Sequence, residues 1–133
     1  MAHLLVNLNM AKALKFEVKG IKSTQAFIIA KNIEATQRAE TGVKQAGEFL
    51  KDEVQASIKG NRAEPRSVDT EELLNSVGVI QNGLSVSVYS DVKQAGFMEN
   101  GTSRIPARRH FGNSMDRNKD KTEEIVASEV RKI

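Results

Sequence analysis

The chain has 133 residues, of which 39% are hydrophobic and 28% charged, with five Phe, one Tyr and neither Trp nor Cys. This is the composition of one ordinary globular domain, 1–133, large enough to bury about two thirds of its unfolded surface; it excludes a disulfide framework and thiolate metal sites, and leaves few rings on which bases could stack. The net charge of +3 is local: Lys/Arg and Asp/Glu balance at 12 each over residues 1–103 and at 5 each over residues 110–133, so the surplus is Arg104, Arg108 and Arg109.

Residues 1–12 read as an N-terminal arm or a strand, with Leu4, Val6 and Leu8 alternating and Leu5 breaking the alternation; an arm would take its order from a partner. They hold no basic stretch followed by a long apolar one, so no cleaved signal is expected. Leu14 to Lys19 alternates apolar and charged residues, which predicts a strand that Gly20 ends. From Ser23, an N-cap, the period turns helical through Ile29, Ile33, Val43, Gly47, Leu50, Val54 and Ile58, and Lys59-Gly60 stops it. About 36 residues of helix would run roughly 54 Å, too long for so small a domain to cover alone. The polar middle, Thr36 to Gly42, holds a glycine that costs about 1 kcal/mol relative to alanine. Two arrangements fit: a break near Thr41-Gly42, or a straight helix whose flank packs on a neighbouring subunit.

Residues 60–69 hold Arg62, Glu64, Pro65 and Arg66 and hardly an apolar side chain, the pattern of an exposed loop. Asp69 to Glu72 supplies N-cap and first-turn acids to a helical turn or two around Leu73-Leu74, ending near Ser76. Val77 to Val92 predicts an antiparallel hairpin with Asn82-Gly83 as a type I′ turn, whose two central residues need positive φ. Leu84, Val86 and Val88 then face the core, while Ser85, Ser87 and Tyr89 face solvent or a ring lumen. Phe111, Met115, Ile125, Val126 and Val130 mark one face of a single helix from Phe111 to Arg131. The expected fold class is α+β: a long N-terminal helix and a C-terminal helix packed on a small antiparallel sheet containing a β-hairpin. No apolar run approaches the ~18 residues of a membrane span.

The segment Phe97 to Arg108 joins the hairpin to the last helix. Gly101 frees a sharp turn, Pro106 fixes φ and pushes Ile105 toward extended backbone, and Arg104 and Arg108 project from a stiff chain. Glu99 precedes Arg104 closely enough for an ion pair across the turn, within a subunit or between subunits; if exposed it is worth only ~0.2 to 1 kcal/mol and serves register more than stability. Glu99, Thr102, Ser103 and His110 do not fall in an order of nucleophile, base and orienter, so neither an enzyme nor a cofactor is expected. His3 and His110 lie far apart and in no ligand spacing, so no metal site is expected either.

Met98-Glu99-Asn100-Gly101-Thr102-Ser103-Arg104-Ile105-Pro106-Ala107-Arg108 resembles the E-[FY]-G-T-S-x-x-P-A-R-P-F signature of the HK97 gene-product-10-like tail components of tailed phages and prophages. The order of elements agrees, including Thr70-Glu71-Glu72-Leu73-Leu74-Asn75-Ser76 in the place of T-x-x-L-x-x-S. Two departures stand out: Asn100 replaces the aromatic, and Arg109-His110-Phe111 replaces Pro-Phe. The resemblance implies a structural virion protein of the phage neck or tail, a tail-completion or tail-terminator subunit assembled in the host cytoplasm. It would form a homo-oligomeric ring, expected as a hexamer, at the head-proximal end of the tail tube. Its partners would be the tail tube protein and the head-completion or connector protein, with DNA only as passing cargo. The contacts would be carried by Glu99, Gly101, Thr102, Ser103, Arg104, Pro106, Arg108 and Arg109. The alternative is a small basic nucleic-acid-binding module built on the arginines, which lacks a recognition helix and interleaved aromatics.

Overall fold

The computed structural model describes residues 3–9, 13–19, 33–67 and 71–132. Strands β1 (His3–Asn9), β2 (Ala13–Lys19), β3 (Gly78–Asn82) and β4 (Ser85–Ser90) form one antiparallel sheet in the order β1-β2-β4-β3. Residues 3–9 are therefore a strand of the chain's own sheet: His3 pairs with Lys19 and Asn9 with Ala13. On its other side β2 runs beside β4, with Leu14 opposite Ser90 and Lys19 opposite Ser85. β4 is thus internal, and β3 and β1 are the two edges.

The hairpin forms where expected, but its turn sits one residue later. Asn82 pairs with Ser85, leaving Gly83-Leu84 as the loop. Gly83 has φ 60° and Asn82 does not have positive φ; positive φ at the first central residue alone is the type II′ pattern. Register is set by the buried face, which places Val86 and Val88 in the core, and the turn follows it. The expected outward face is not open along β4: Ser87 is buried and Tyr89 half-buried, as suits a strand flanked on both sides.

Helix α1 (Ile33–Ile58) runs unbroken through Gly42. The expected Ser23 cap, the helical positions up to residue 32, Gly20 and Asp69-Thr70 lie outside the described residues. The buried positions of α1 fall on two faces because the helix is covered twice. Toward the sheet, a Cβ at Gly47 would overlap Val86 Cγ2. Toward the C-terminus, a Cβ at Gly42 would lie 2.9 Å from Val126 Cα and 3.2 Å from its carbonyl oxygen. The glycine expected to break the helix is instead where a second helix approaches closely, and the flank there is covered by the same chain.

The remaining helices are α2 (Glu72–Ser76), α3 (Lys93–Asn100), α4 (His110–Arg117) and α5 (Lys119–Val130). α3 was not expected: it is short, contains Gly96, and has no side-chain cap at Val92. The single C-terminal helix is two helices bent at Asn118, φ −110°, whose side-chain amide donates to Ser114 O at 2.8 Å and to Glu53 Oε1 at 3.1 Å. Phe111, Met115, Asn118, Thr122, Val126 and Glu129 form the buried stripe, while Ile125 and Val130 are half-buried at its margin. Leu50, Val54 and Ile58 of α1 meet Leu73, Val86, Val88, Phe111 and Met115 in one apolar core. The fold is α+β, as the patterning predicts.

Replacing Gly42 by Ala adds about 1 kcal/mol of helix propensity but sets a methyl group against the Val126 backbone, where overpacking costs ~1 to 3 kcal/mol. Gly42→Ala is expected to lower the urea midpoint; an unchanged or higher midpoint would refute the close approach.

Candidate functional site

The segment following α3 is braced from within. Gly101, φ 76°, ends the helix and donates its N–H to Phe97 O at 2.8 Å. A Cβ there would stand 2.7 Å from Ala107 N and 2.9 Å from Ile105 O, so the turn needs a glycine for conformation and for space. Thr102 closes the loop: its N–H donates to Ile105 O at 2.7 Å, and its Oγ1 accepts from the N–H of Arg104 at 3.2 Å and of Ile105 at 3.1 Å. At the base, Met98 O accepts from the N–H of Arg108 at 2.7 Å and of Arg109 at 3.3 Å. Ser103, Arg104 and Pro106 lie on the outside of this closed loop, exposed.

Glu99 is not part of that outer surface. It is 5% exposed, and its Oε1 and Oε2 accept from the N–H groups of Phe111 at 2.9 Å and Gly112 at 2.8 Å. Within the subunit it makes no ion pair with Arg104. The carboxylate instead caps α4, because a helix N-terminus leaves free N–H groups and a partial positive charge. The N-cap residue itself, Arg109, sits at φ 51°, ψ 45° and makes no side-chain cap bond. Burial pushes the Glu99 carboxyl above its ordinary range, opposed by the two amide bonds and the Arg109 charge.

A second buried group stands beside it. His110 is 1% exposed, with Nδ1 2.8 Å from Ser57 Oγ and Nε2 2.8 Å from Ser67 Oγ. The proton positions follow from the partners. Ser57 donates to Glu64 Oε1 at 2.5 Å, so its oxygen accepts from His110 Nδ1–H. Arg108 Nη1 donates to Ser67 Oγ at 2.7 Å, so the Ser67 hydroxyl can donate to His110 Nε2. Glu64, 6% exposed, also binds Arg117 through both oxygens, at 3.0 and 3.1 Å, and accepts from Asn113 Nδ2 at 3.1 Å. The chain of bonds runs Arg108–Ser67–His110–Ser57–Glu64–Arg117 and ties the base of the loop to α1 and α4.

The expected exposed loop 60–69 therefore holds two buried residues, Glu64 and Ser67, because a charge enters the interior where Arg117 and two further donors, Ser57 and Asn113, meet it. Burial would raise the Glu64 carboxyl, but Arg117, Ser57 and Asn113 outweigh this and hold it at about 2. Burial lowers the His110 imidazole to about 4, with the Arg108 charge adding to the effect and Glu64 opposing it. Of the three surplus arginines, Arg108 binds Arg66 O and Ser67 Oγ, both at 2.7 Å. Arg109 stands 3.6 Å from Asp116 in an exposed pair. Arg104 is exposed and its side chain meets no partner among the described residues.

Among the described residues, no three His, Asp or Glu side chains gather as a metal site, and no buried side-chain polar atom lacks a partner. Chemically, the arrangement engages its buried donors and acceptors with one another and so holds geometry. Ser57, Glu64, Ser67, Asn113 and Arg117 gave no signal in the sequence, since the network's contacts span 41 to 53 positions, apart from Ser57–Glu64 at 7. A Glu and a Ser on either side of Pro65, in a loop otherwise open, would be the one local hint.

Acid acts on this network in a defined direction. An ordinary imidazole takes a proton near 6.5 and folded His110 only near 4, so the unfolded chain binds that proton first and stability falls as pH drops through this interval, by about 3 kcal/mol. Below it, Glu64 continues the loss from 4.5 toward 2. Urea midpoints between pH 7 and 4.5 are expected to decline in the native chain and to stay nearly level in His110→Gln; an equal slope in both would refute the assignment. Glu99→Ala is expected to cost about 2 to 3 kcal/mol, because two N–H groups lose a charged acceptor; a loss under ~0.5 kcal/mol would refute the cap. Compared with known proteins, the chain matches no family model, no curated protein and no solved structure.

Proposed function

We infer that the chain is a structural subunit of a phage neck or tail, a ring-forming tail-completion or tail-terminator protein that joins the tail tube to the head connector and lets DNA pass. The observation that carries this reading is the braced loop 101–109. Its backbone is fixed by Gly101, Thr102 and Met98 O, and it holds Ser103, Arg104 and Pro106 outward in set positions. A protein whose work is to set the geometry of repeated contacts needs a surface of this kind, with its stiffness supplied from behind by Glu99 and the His110 network. These are also the residues in the sequence that resemble the tail-component signature. Glu99 and His110 are both spent on structure, which supports a role without catalysis.

The nucleic-acid-binding alternative has less to rest on. Arg108 and Arg109 are engaged within the chain, so the local surplus does not form an open patch of three cations.

Mass photometry of the chain alone and mixed with the cognate tail tube protein tests the reading. Closed oligomers of one size are expected in at least one condition, and monomers in both would overturn it. Arg104→Ala is expected to weaken assembly several-fold while changing stability by less than ~0.5 kcal/mol, as for an exposed residue outside the fold's bonds. Unchanged assembly would remove Arg104 from the interface.

A further inference from the structure

The sheet ends in two edges that the described residues leave unpaired. In a hairpin closed by a two-residue loop, cross-strand pairs alternate between bonded and non-bonded. Asn82–Ser85 closes the loop and is bonded, so Ile80 and Gly78 also bond to β4, while Val79 and Gln81 turn their N–H and C=O groups away from it. Neither outward N–H has a partner among the described residues.

Edge strands of single proteins are guarded by Lys, Pro, bulges or inward charges. β3 reads Gly-Val-Ile-Gln-Asn and β1 reads His-Leu-Leu-Val-Asn-Leu-Asn, with none of Lys, Arg, Asp, Glu or Pro in either. Ile80 stands 51% exposed on the β3 edge. The direction of the strands then selects an occupant. All three pairings are antiparallel and the strands number four, so β1 and β3 run opposite to each other. A second copy in the same orientation, set beside the first, brings its β1 antiparallel to the first copy's β3. With an odd number of strands the same displacement would give a parallel pairing. A two-fold pairing of β3 with β3 would also be antiparallel, but it leaves both β1 edges open, whereas β3 on β1 occupies both and repeats.

The geometry points to an interface in which β3 of one copy adds edge to edge to β1 of the next, continuing the sheet from subunit to subunit. This rests on the ring reading above and names the contact that would build the ring.

Gln81→Pro removes an outward N–H without touching the pairs that hold β3 to β4, and Ile80→Lys places a charge at the edge. The Gln81 side chain donates to Glu40 O at 2.8 Å, so Gln81→Ala, which keeps the N–H, is the control. At concentrations where the native chain and Gln81→Ala assemble, both edge variants are expected to remain folded by circular dichroism and to run as monomers by mass photometry. In the native chain, exchange of the Val79 and Gln81 amides is expected to slow about 100-fold or more on assembly; this measurement decides the matter if Gln81→Pro does not fold. Native-sized assemblies in both edge variants, or equally fast exchange of these amides in the assembled form, would overturn the edge contact and leave the ring reading standing, whereas a β3-dependent dimer that does not grow would overturn both. A native chain that stays monomeric with and without the tube protein would overturn both.

Discussion

The structure depends on two buried carboxylates that fix helix α4. Glu99 reaches it from α3 and takes the two N–H groups of its first turn; Glu64 reaches it from the other side and takes Arg117 in its last turn, with Asn113 between. A buried carboxylate is tolerable only where hydrogen bonds and opposite charge replace its water. That demand fixes geometry, because a shift of α4 by part of a turn would take the two N–H groups from Glu99 and Arg117 and Asn113 from Glu64. The helix so placed carries Phe111 and Met115 into the core and His110 into the gap between α1 and the loop. Through His110, Ser67 and Arg108 the same demand reaches the base of segment 101–109.

The sequence revealed what depends on local period. Strict alternation over Leu14 to Lys19, the apolar steps of α1 and the two arms of the hairpin describe one face of one element, and each element is present. What it hid depends on meetings across the fold. Gly42 reads as a weak point along a helix and is a place where α5 comes close. Glu64 reads as one charge of a polar loop and becomes buried only because Arg117, much later in the chain, arrives opposite. α3 carries no cap and little periodicity, so nothing local announces it. The turn illustrates a competition: Asn82-Gly83 offers type I′, but the register of Val86 and Val88 in the core outweighs it and moves the loop to Gly83-Leu84.

At the candidate site the motif runs together two layers of the structure. Gly101, Thr102, Ser103, Arg104 and Pro106 form the braced outer loop, whereas Glu99 and Arg108 belong to the support behind it. A run of residues cannot show which of its members turn inward, because that is decided by the free N–H groups of α4 and by the hydroxyl of Ser67, neither visible from the neighbours of Glu99 or Arg108. Inward charge makes the outward loop stiff, so both layers serve one surface.

Edge pairing and the loop would also divide the work of assembly. A ladder of backbone bonds fixes the spacing of strands, but it specifies register poorly: a slip of two residues keeps every side chain on its face. β1 has 7 residues and β3 has 5, so more than one register satisfies the shorter strand. A contact off the sheet, at a fixed distance from it, removes the ambiguity. Arg104 on loop 101–109 has that character. An exposed ion pair from it would contribute ~0 to 1 kcal/mol, too little to drive association but enough to favour one register several-fold over its neighbours, and in the proposed ring that preference would repeat at every interface.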